Sequence, residues 1–175
     1  MAILKKVIFS LLILLTVFIV VGYFLPSEYR VQRSISINGA ADKIYPQVAD
    51  LRNWRDWGVW YQRDPNMQVE YSGDSIGIGM KSSWKSATEG DGSMTIIALA
   101  PNQSVTYELY FSGFDMTSQG QLTFQQSDGQ TLVTWTGTGD VGFNAINRYF
   151  ALAMDSLIGP DLQQSLDNLK AVMED

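Results

Sequence analysis

From Val7 to Leu25 the chain reads VIFSLLILLTVFIVVGYFL, nineteen consecutive residues without a charge, directly after Lys5 and Lys6. As a helix this run is about 28 Å long, close to the roughly 30 Å hydrocarbon core of a bilayer. It is apolar on every side, unlike the one-sided helices that cover a soluble core. A secretory signal shares the basic start and the apolar run, but its apolar region is shorter, about 7–15 residues, and ends in small residues. Here the exit reads Val21-Gly22-Tyr23-Phe24-Leu25-Pro26-Ser27, without an A-x-A pattern, and no cysteine is available to receive a lipid. Residues 1–27 are therefore expected to be a cytoplasmic tip, an uncleaved signal anchor and a short linker. Lys5 and Lys6 are expected to hold the N-terminus in the cytoplasm, leaving residues 28–175 outside it as one domain.

Charge and composition restrict what that domain can do. Lys plus Arg number 12 against 18 Asp plus Glu; setting aside Lys5 and Lys6 leaves 10 against 18, or −8, beyond the anchor. This is the wrong sign for a nucleic-acid partner, and anionic headgroups repel it. The chain has no histidine and no cysteine. Ser-His-Asp and Cys-His nucleophiles, disulfides, and imidazole or thiolate metal sites are excluded, so no metal and no cofactor are expected.

Beyond the linker, Glu28 to Ile37 alternates as a strand, with Tyr29, Val31, Arg33, Ile35 and Ile37 on one face. Two short helices are expected next: Ala40 to Ala49, shortened, kinked or delayed by Pro46, and Asp50 to Trp57, closed by Gly58 as a left-handed cap. Met67–Tyr71, Gly79–Ala87, Ser93–Ala100, Ser104–Phe111, Ser118–Gln126 and Gln130–Gly137 read as strands joined by turns too short for parallel crossovers. Asn144 to Met173 carries one wide apolar stripe through Ile146, Phe150, Ala153, Met154, Leu157, Ile158, Leu162, Leu166, Leu169 and Met173, with a bend or break expected at Gly159-Pro160. The expected fold is α+β: a seven-stranded antiparallel sheet curved around a long C-terminal helix, preceded by one transmembrane helix.

This order of elements resembles the helix-grip domains of the SRPBCC superfamily, which includes START, polyketide cyclase and pollen-allergen-like proteins. The resemblance runs from about Tyr29 to Glu174. Its carriers are the first strand leading into Ala41-Asp42-Lys43-Ile44-Tyr45, the stretch Asp50-Leu51-Arg52-Asn53-Trp54-Arg55-Asp56-Trp57, Gly77-Ile78-Gly79 before Ser83-Trp84, and Gly92-Ser93-Met94. Val133-Thr134-Trp135 and Ile158-Gly159-Pro160-Asp161, leading to Leu166-Asp167-Asn168-Leu169-Lys170, complete it. The pattern is similar to bacterial proteins of the polyketide cyclase/dehydrase-like group. It implies binding of a lipid or another bulky hydrophobic molecule, at the bacterial inner membrane if the anchor is retained.

Candidate lining residues follow from alternation and helical spacing: Trp54 and Trp57, Met80 and Trp84, Val105, Tyr107, Leu109 and Phe111, Val133 and Trp135, and Phe150, Met154 and Leu157 on the long helix. The same side chains are bulky enough to fill the interior as packed core, and both readings stand. Glu108, Lys81 and Lys85 are expected to face solvent. Tyr107 and Glu108 point to opposite faces of their strand, and no acid–base pair is encoded locally, so no catalytic residue is assigned. Three functions remain: a non-enzymatic binding domain for a hydrophobic molecule, a cyclase-like or dehydrase-like enzyme on an apolar substrate, or an envelope scaffold that engages a protein partner.

Overall fold

The computed structural model describes residues 2–113 and 116–174. Helix α1 (Ala2–Phe24) contains the apolar run, and nearly all of its side chains are exposed. Strand β1 (Glu28–Asn38) follows, then the short helices α2 (Ala41–Ala49), α3 (Trp54–Trp57) and α4 (Val59–Arg63). Strands β2 (Gln68–Ser72), β3 (Lys81–Lys85), β4 (Gly92–Ala100), β5 (Ser104–Phe111), β6 (Met116–Ser127) and β7 (Gln130–Asp140) lead to helix α5 (Ala145–Glu174). The seven strands form one curved antiparallel sheet in the order β1-β7-β6-β5-β4-β3-β2, so the first strand closes the meander by pairing with the last.

One sheet face is apolar because alternation turns Val31 and Ile37, Met94 and Ile96, Val105 and Tyr107, Leu122 and Phe124, and Val133 and Trp135 to the same side. Helices α2 and α3 and the second half of α5 cover it with Ile44, Val48, Trp54, Trp57, Leu162, Leu166 and Leu169. Polar side chains lock the layers together. The Ser165 hydroxyl accepts from Val59 N at 3.1 Å, Asn168 Nδ2 donates to the Trp57 carbonyl at 3.0 Å, and Lys170 Nζ donates to the Ser36 carbonyl at 2.9 Å.

Three local expectations are corrected. Gly58 is extended (φ −68, ψ 121) rather than left-handed, and a third short helix, α4, starts directly after it. Glycine is needed there for space, because a Cβ would lie 2.8 Å from the Trp54 carbonyl oxygen. Helix α5 runs unbroken through Gly159-Pro160. The carbonyl of Ser156, which Pro160 leaves without its helical donor, belongs to an exposed residue, while bare Gly159 gives the Arg33 guanidinium room against the helix. Arg33 then pairs with Asp155 at 2.7 Å, and this holds the Asp155 carboxyl below its ordinary pKa. Finally, the stripe of α5 is split. Leu162, Leu166 and Leu169 are buried on the sheet, whereas Ile146, Phe150 and Leu157 are 53%, 54% and 55% exposed.

Candidate ligand cavity

The grip of sheet on helix is incomplete. A cavity of about 170 Å³ remains between the concave face and α5. Trp54 of α3, Trp60 and Tyr61 of α4, and Ile158 and Leu162 of α5 wall it on the helical side. Met94 of β4, Tyr107, Leu109 and Phe111 of β5, and Trp84 of β3 wall it on the sheet side. Tyr29, Ser118, Gln119 and Thr138 belong both to this cavity and to an adjoining open groove of about 670 Å³, whose other residues include Glu28, Arg30 and Asp140. An apolar chamber thus opens onto a polar groove beside the first residues after α1. For scale, an engineered apolar cavity of about 150 Å³ admits benzene. The enclosed part therefore suits a single ring or a short branched chain, and a larger molecule would extend into the groove.

The chamber stays open because its walls are stiff. Trp54 meets Trp57 at 4.5 Å between ring centroids, and it meets Tyr107 and Trp135 edge-on at 5.4 Å each. Each buried indole or phenol of this cluster has a polar contact. Trp54 Nε1 donates to the Val48 carbonyl at 2.8 Å, Trp57 Nε1 to the Gln47 carbonyl at 3.2 Å, and Trp135 Nε1 to the Tyr107 hydroxyl at 2.9 Å. Rings fixed at both the face and the polar tip cannot collapse inward to fill the void. Beneath Tyr107 lies Gly120, paired across the strands with Gly137, and a Cβ on Gly120 would coincide with the Tyr107 ring and hydroxyl.

The residues expected from the sequence fall into three groups. Trp54, Trp84, Tyr107, Leu109 and Phe111 touch the cavity. Trp57, Met80, Val105, Val133 and Trp135 are buried in the layer behind the walls, and Met154 is half-buried against the same core. Phe150 and Leu157 face outward from α5. The structure adds Tyr29, Met67, Met94, Ile158 and Leu162, at positions where alternation or helical spacing gave a usable signal, and Trp60 and Tyr61 of α4, where it did not. For the polar rim of Ser118, Gln119 and Thr138 the sequence carries no such signal, since these residues resemble any solvent-facing strand position.

Electrostatically the chamber is quiet. Among the described residues, its one carboxylate is Glu89, which is held by Arg63 at 3.0 Å, and Arg63 also binds Asp161 of α5 at 2.8 Å. This triad closes one side of the cavity by tying the loop before β4 to α5. Burial raises the Tyr107 phenol far above its ordinary value, with the hydrogen bond from Trp135 opposing the shift, so it is neutral at physiological pH. Tyr71, behind Tyr61, is pushed up to about 12 by burial and by its neighbour Tyr61, and burial also raises Tyr61 and Tyr29. No cluster of metal-ligating side chains occurs among the described residues.

The raised phenols carry a pH prediction. Folding raises each phenol's pKa above the unfolded value near 10.0. The stability contributed by neutral, buried tyrosine is therefore complete below that value and is lost as pH rises through the folded value, about 12 for Tyr71. Urea midpoints of the full chain in detergent are expected to hold steady from neutrality to about pH 9 and then fall steeply above pH 10. Tyr71→Phe is expected to flatten part of that fall; an unchanged slope would remove Tyr71 from the explanation.

The sequence model for polyketide cyclase / dehydrase and lipid transport proteins matches residues 28–174. The chain belongs to that family. A search of curated proteins gives no match. The chain is similar in fold to a solution structure from Thermobifida fusca, with TM-score 0.62, 17% identity, and coverage of 81% of this chain and 90% of that one. It is also similar to truncated norcoclaurine synthase from Thalictrum flavum, with TM-score 0.60, 13% identity, and coverage of 83% and 92%. The Aha1 dimer from Colwellia psychrerythraea gives TM-score 0.56 and 18% identity, with 83% and 96% covered. Identities this low establish the helix-grip fold of this family member and leave its activity to the chemistry of its own cavity.

Proposed function

We propose that this family member is a membrane-anchored, non-enzymatic binding domain, residues 28–175 on the anchor of residues 1–27, and that it holds the apolar part of a hydrophobic or lipid-like molecule. The observation that carries the reading is the rigid, aromatic-walled cavity with, among the described residues, one carboxylate, Glu89, already engaged by Arg63. Such a chamber binds by excluding water from an apolar group, and the adjoining polar groove suits the remainder of an amphiphile. One helix, Ile3–Phe24, is long and apolar enough to cross a bilayer. With Lys5 and Lys6 at its start, the positive-inside rule supports a cytoplasmic N-terminus and an extracytoplasmic domain at a bacterial inner membrane.

Leu109→Trp adds bulk at the cavity wall and is expected to abolish hydrophobe binding while leaving the fold intact. Native mass spectrometry of the full chain released from detergent, with solvent extraction of the same sample, reads the result. A hydrophobe that co-purifies with the parent chain and is absent from Leu109→Trp supports the reading. Equal amounts in both, or none in either, would sink it.

A second reading, a cyclase-like or dehydrase-like enzyme, rests on Tyr107, whose hydroxyl accepts from Trp135 and keeps its own proton to donate to a bound carbonyl. Its raised pKa makes it a poor acid, and no base faces it among the described residues, which favours binding over turnover.

A further inference from the structure

The start of α5 packs against the end of α1, and the contacts run in antiparallel register. Tyr23 meets Phe143 at 5.4 Å between ring centroids. Gly22, the one buried residue among those described in α1, lies where a Cβ would be 2.9 Å from the Cβ of Ala145. Four residues further down α1, Phe18 stacks on Tyr149 at 4.1 Å with rings 5° from parallel, and the Tyr149 hydroxyl donates to the Phe18 carbonyl at 2.7 Å. Arg148, the single charged residue between Asp140 and Asp155, donates to the carbonyls of Tyr23 and Leu25 at 2.7 and 3.0 Å. A cation on the last carbonyls of a helix is favourably seated against its dipole.

This register sets a depth. Lys6 marks the near side of the span, and the twelve residues from Lys6 to Phe18 advance about 18 Å along a helix. A hydrocarbon core of roughly 30 Å then extends about 12 Å beyond Phe18. Tyr149, stacked on Phe18, lies at that level, and Phe143, against Tyr23, lies about 8 Å nearer the outer surface. The exposed side chains at the start of α5 are mostly apolar: Phe143, which meets Tyr23, is 78% exposed, and Ile146, Phe150 and Leu152 are each more than half exposed. In water this patch would be a liability continuous with an apolar helix. Two backbone donors of the first turn are already met, since Asn144 Oδ1 accepts from Ile146 N at 2.9 Å and from Asn147 N at 3.4 Å.

We propose that Phe143 and the first turns of α5, through Phe150, are embedded in the outer leaflet beside α1, so that lipid acyl chains cover this face and fix the domain on the membrane. The proposal rests on the reading of α1 as a bilayer span. It reconciles an acidic domain, which headgroups repel, with close apposition to lipid, because the contact is apolar and its one cation is spent on α1. It also brings the polar groove at Glu28, Tyr29 and Asp140, which adjoins the same chain reversal, to the bilayer surface.

Because the chain has no cysteine, single-site labelling needs no other change. Full-length Ile146→Cys and Phe150→Cys, each carrying an environment-sensitive fluorophore, are reconstituted in phosphatidylcholine–phosphatidylglycerol vesicles containing lipids spin-labelled part-way along the acyl chain. Val17→Cys in α1 and Asn102→Cys in the turn between β4 and β5 serve as references. Quenching at Ile146 and Phe150 close to that at Val17, with none at Asn102, is the expected result. Quenching at Val17 alone would overturn the proposal and leave the anchor standing. Absence of quenching at Val17 would overturn both. Blue-shifted emission at Ile146 and Phe150 without lipid quenching would overturn it in favour of a protein partner or a second copy.

Discussion

Trp54→Ala is expected to cost about 3–5 kcal/mol of stability, a large share of the roughly 5–15 kcal/mol that a domain of this size holds. Trp54 is 1% exposed and meets the rings of Trp57, Tyr107 and Trp135, and its indole satisfies the Val48 carbonyl. Truncation removes these contacts and enlarges the chamber, so the loss includes a cavity term as well as lost transfer energy. The remaining rings are pinned by their own hydrogen bonds and cannot relax into the space. Urea denaturation of the full chain in detergent, followed by far-ultraviolet circular dichroism, measures the effect. A loss below about 1 kcal/mol would show that the wall is plastic and that the cavity is not held open by packing.

Gly120→Val is the second large effect, for the opposite reason. The Tyr107 ring and hydroxyl occupy the volume that a side chain at Gly120 would take, and Tyr107 is itself fixed by Trp135. Overpacking of this kind costs about 1–3 kcal/mol, and losing the Trp135 hydrogen bond adds about 1 kcal/mol. The double variant Gly120→Val with Tyr107→Ala is expected to be less destabilised than the sum of its parts, because the second change removes the atoms with which the first collides. Strict additivity in the same urea experiment would mean that the two sites do not share this space.

The alternation in Ser104–Phe111 made the inward set Val105, Tyr107, Leu109 and Phe111 readable, because a strand's side chains divide strictly between two faces. What alternation could not read was how far along the strand the cavity extends. Val105 is fully buried in packed core, whereas Tyr107, Leu109 and Phe111, on the same face, border open space. The difference lies in what α3, α4 and α5 bring to each level. Helix α5 shows the same limit. Its apolar spacing predicted one stripe from Ile146 to Met173, yet the chain uses the first part against α1 and outward, and only the second part against the sheet. Periodicity reports that a face is apolar and is silent about which neighbour, protein or otherwise, covers it. Helix α4 escaped because five residues between a glycine and an aspartate carry too little periodicity to register.

The sequence alone determined the elements whose physics is local. A nineteen-residue uncharged run can satisfy its backbone only as a helix in an apolar medium, period-two stretches joined by short turns can only pair antiparallel, and the absence of histidine and cysteine removes whole classes of chemistry. Tertiary structure decided everything that depends on residues distant in the chain meeting. It closed β1 onto β7, set Gly120 beneath Tyr107, tied Glu89 to Asp161 through Arg63, and seated Tyr149 on Phe18. Those meetings leave an aromatic chamber open and turn an apolar face toward α1, and a linear pattern cannot encode them because each is a volume or a contact shared by elements that the chain itself keeps far apart.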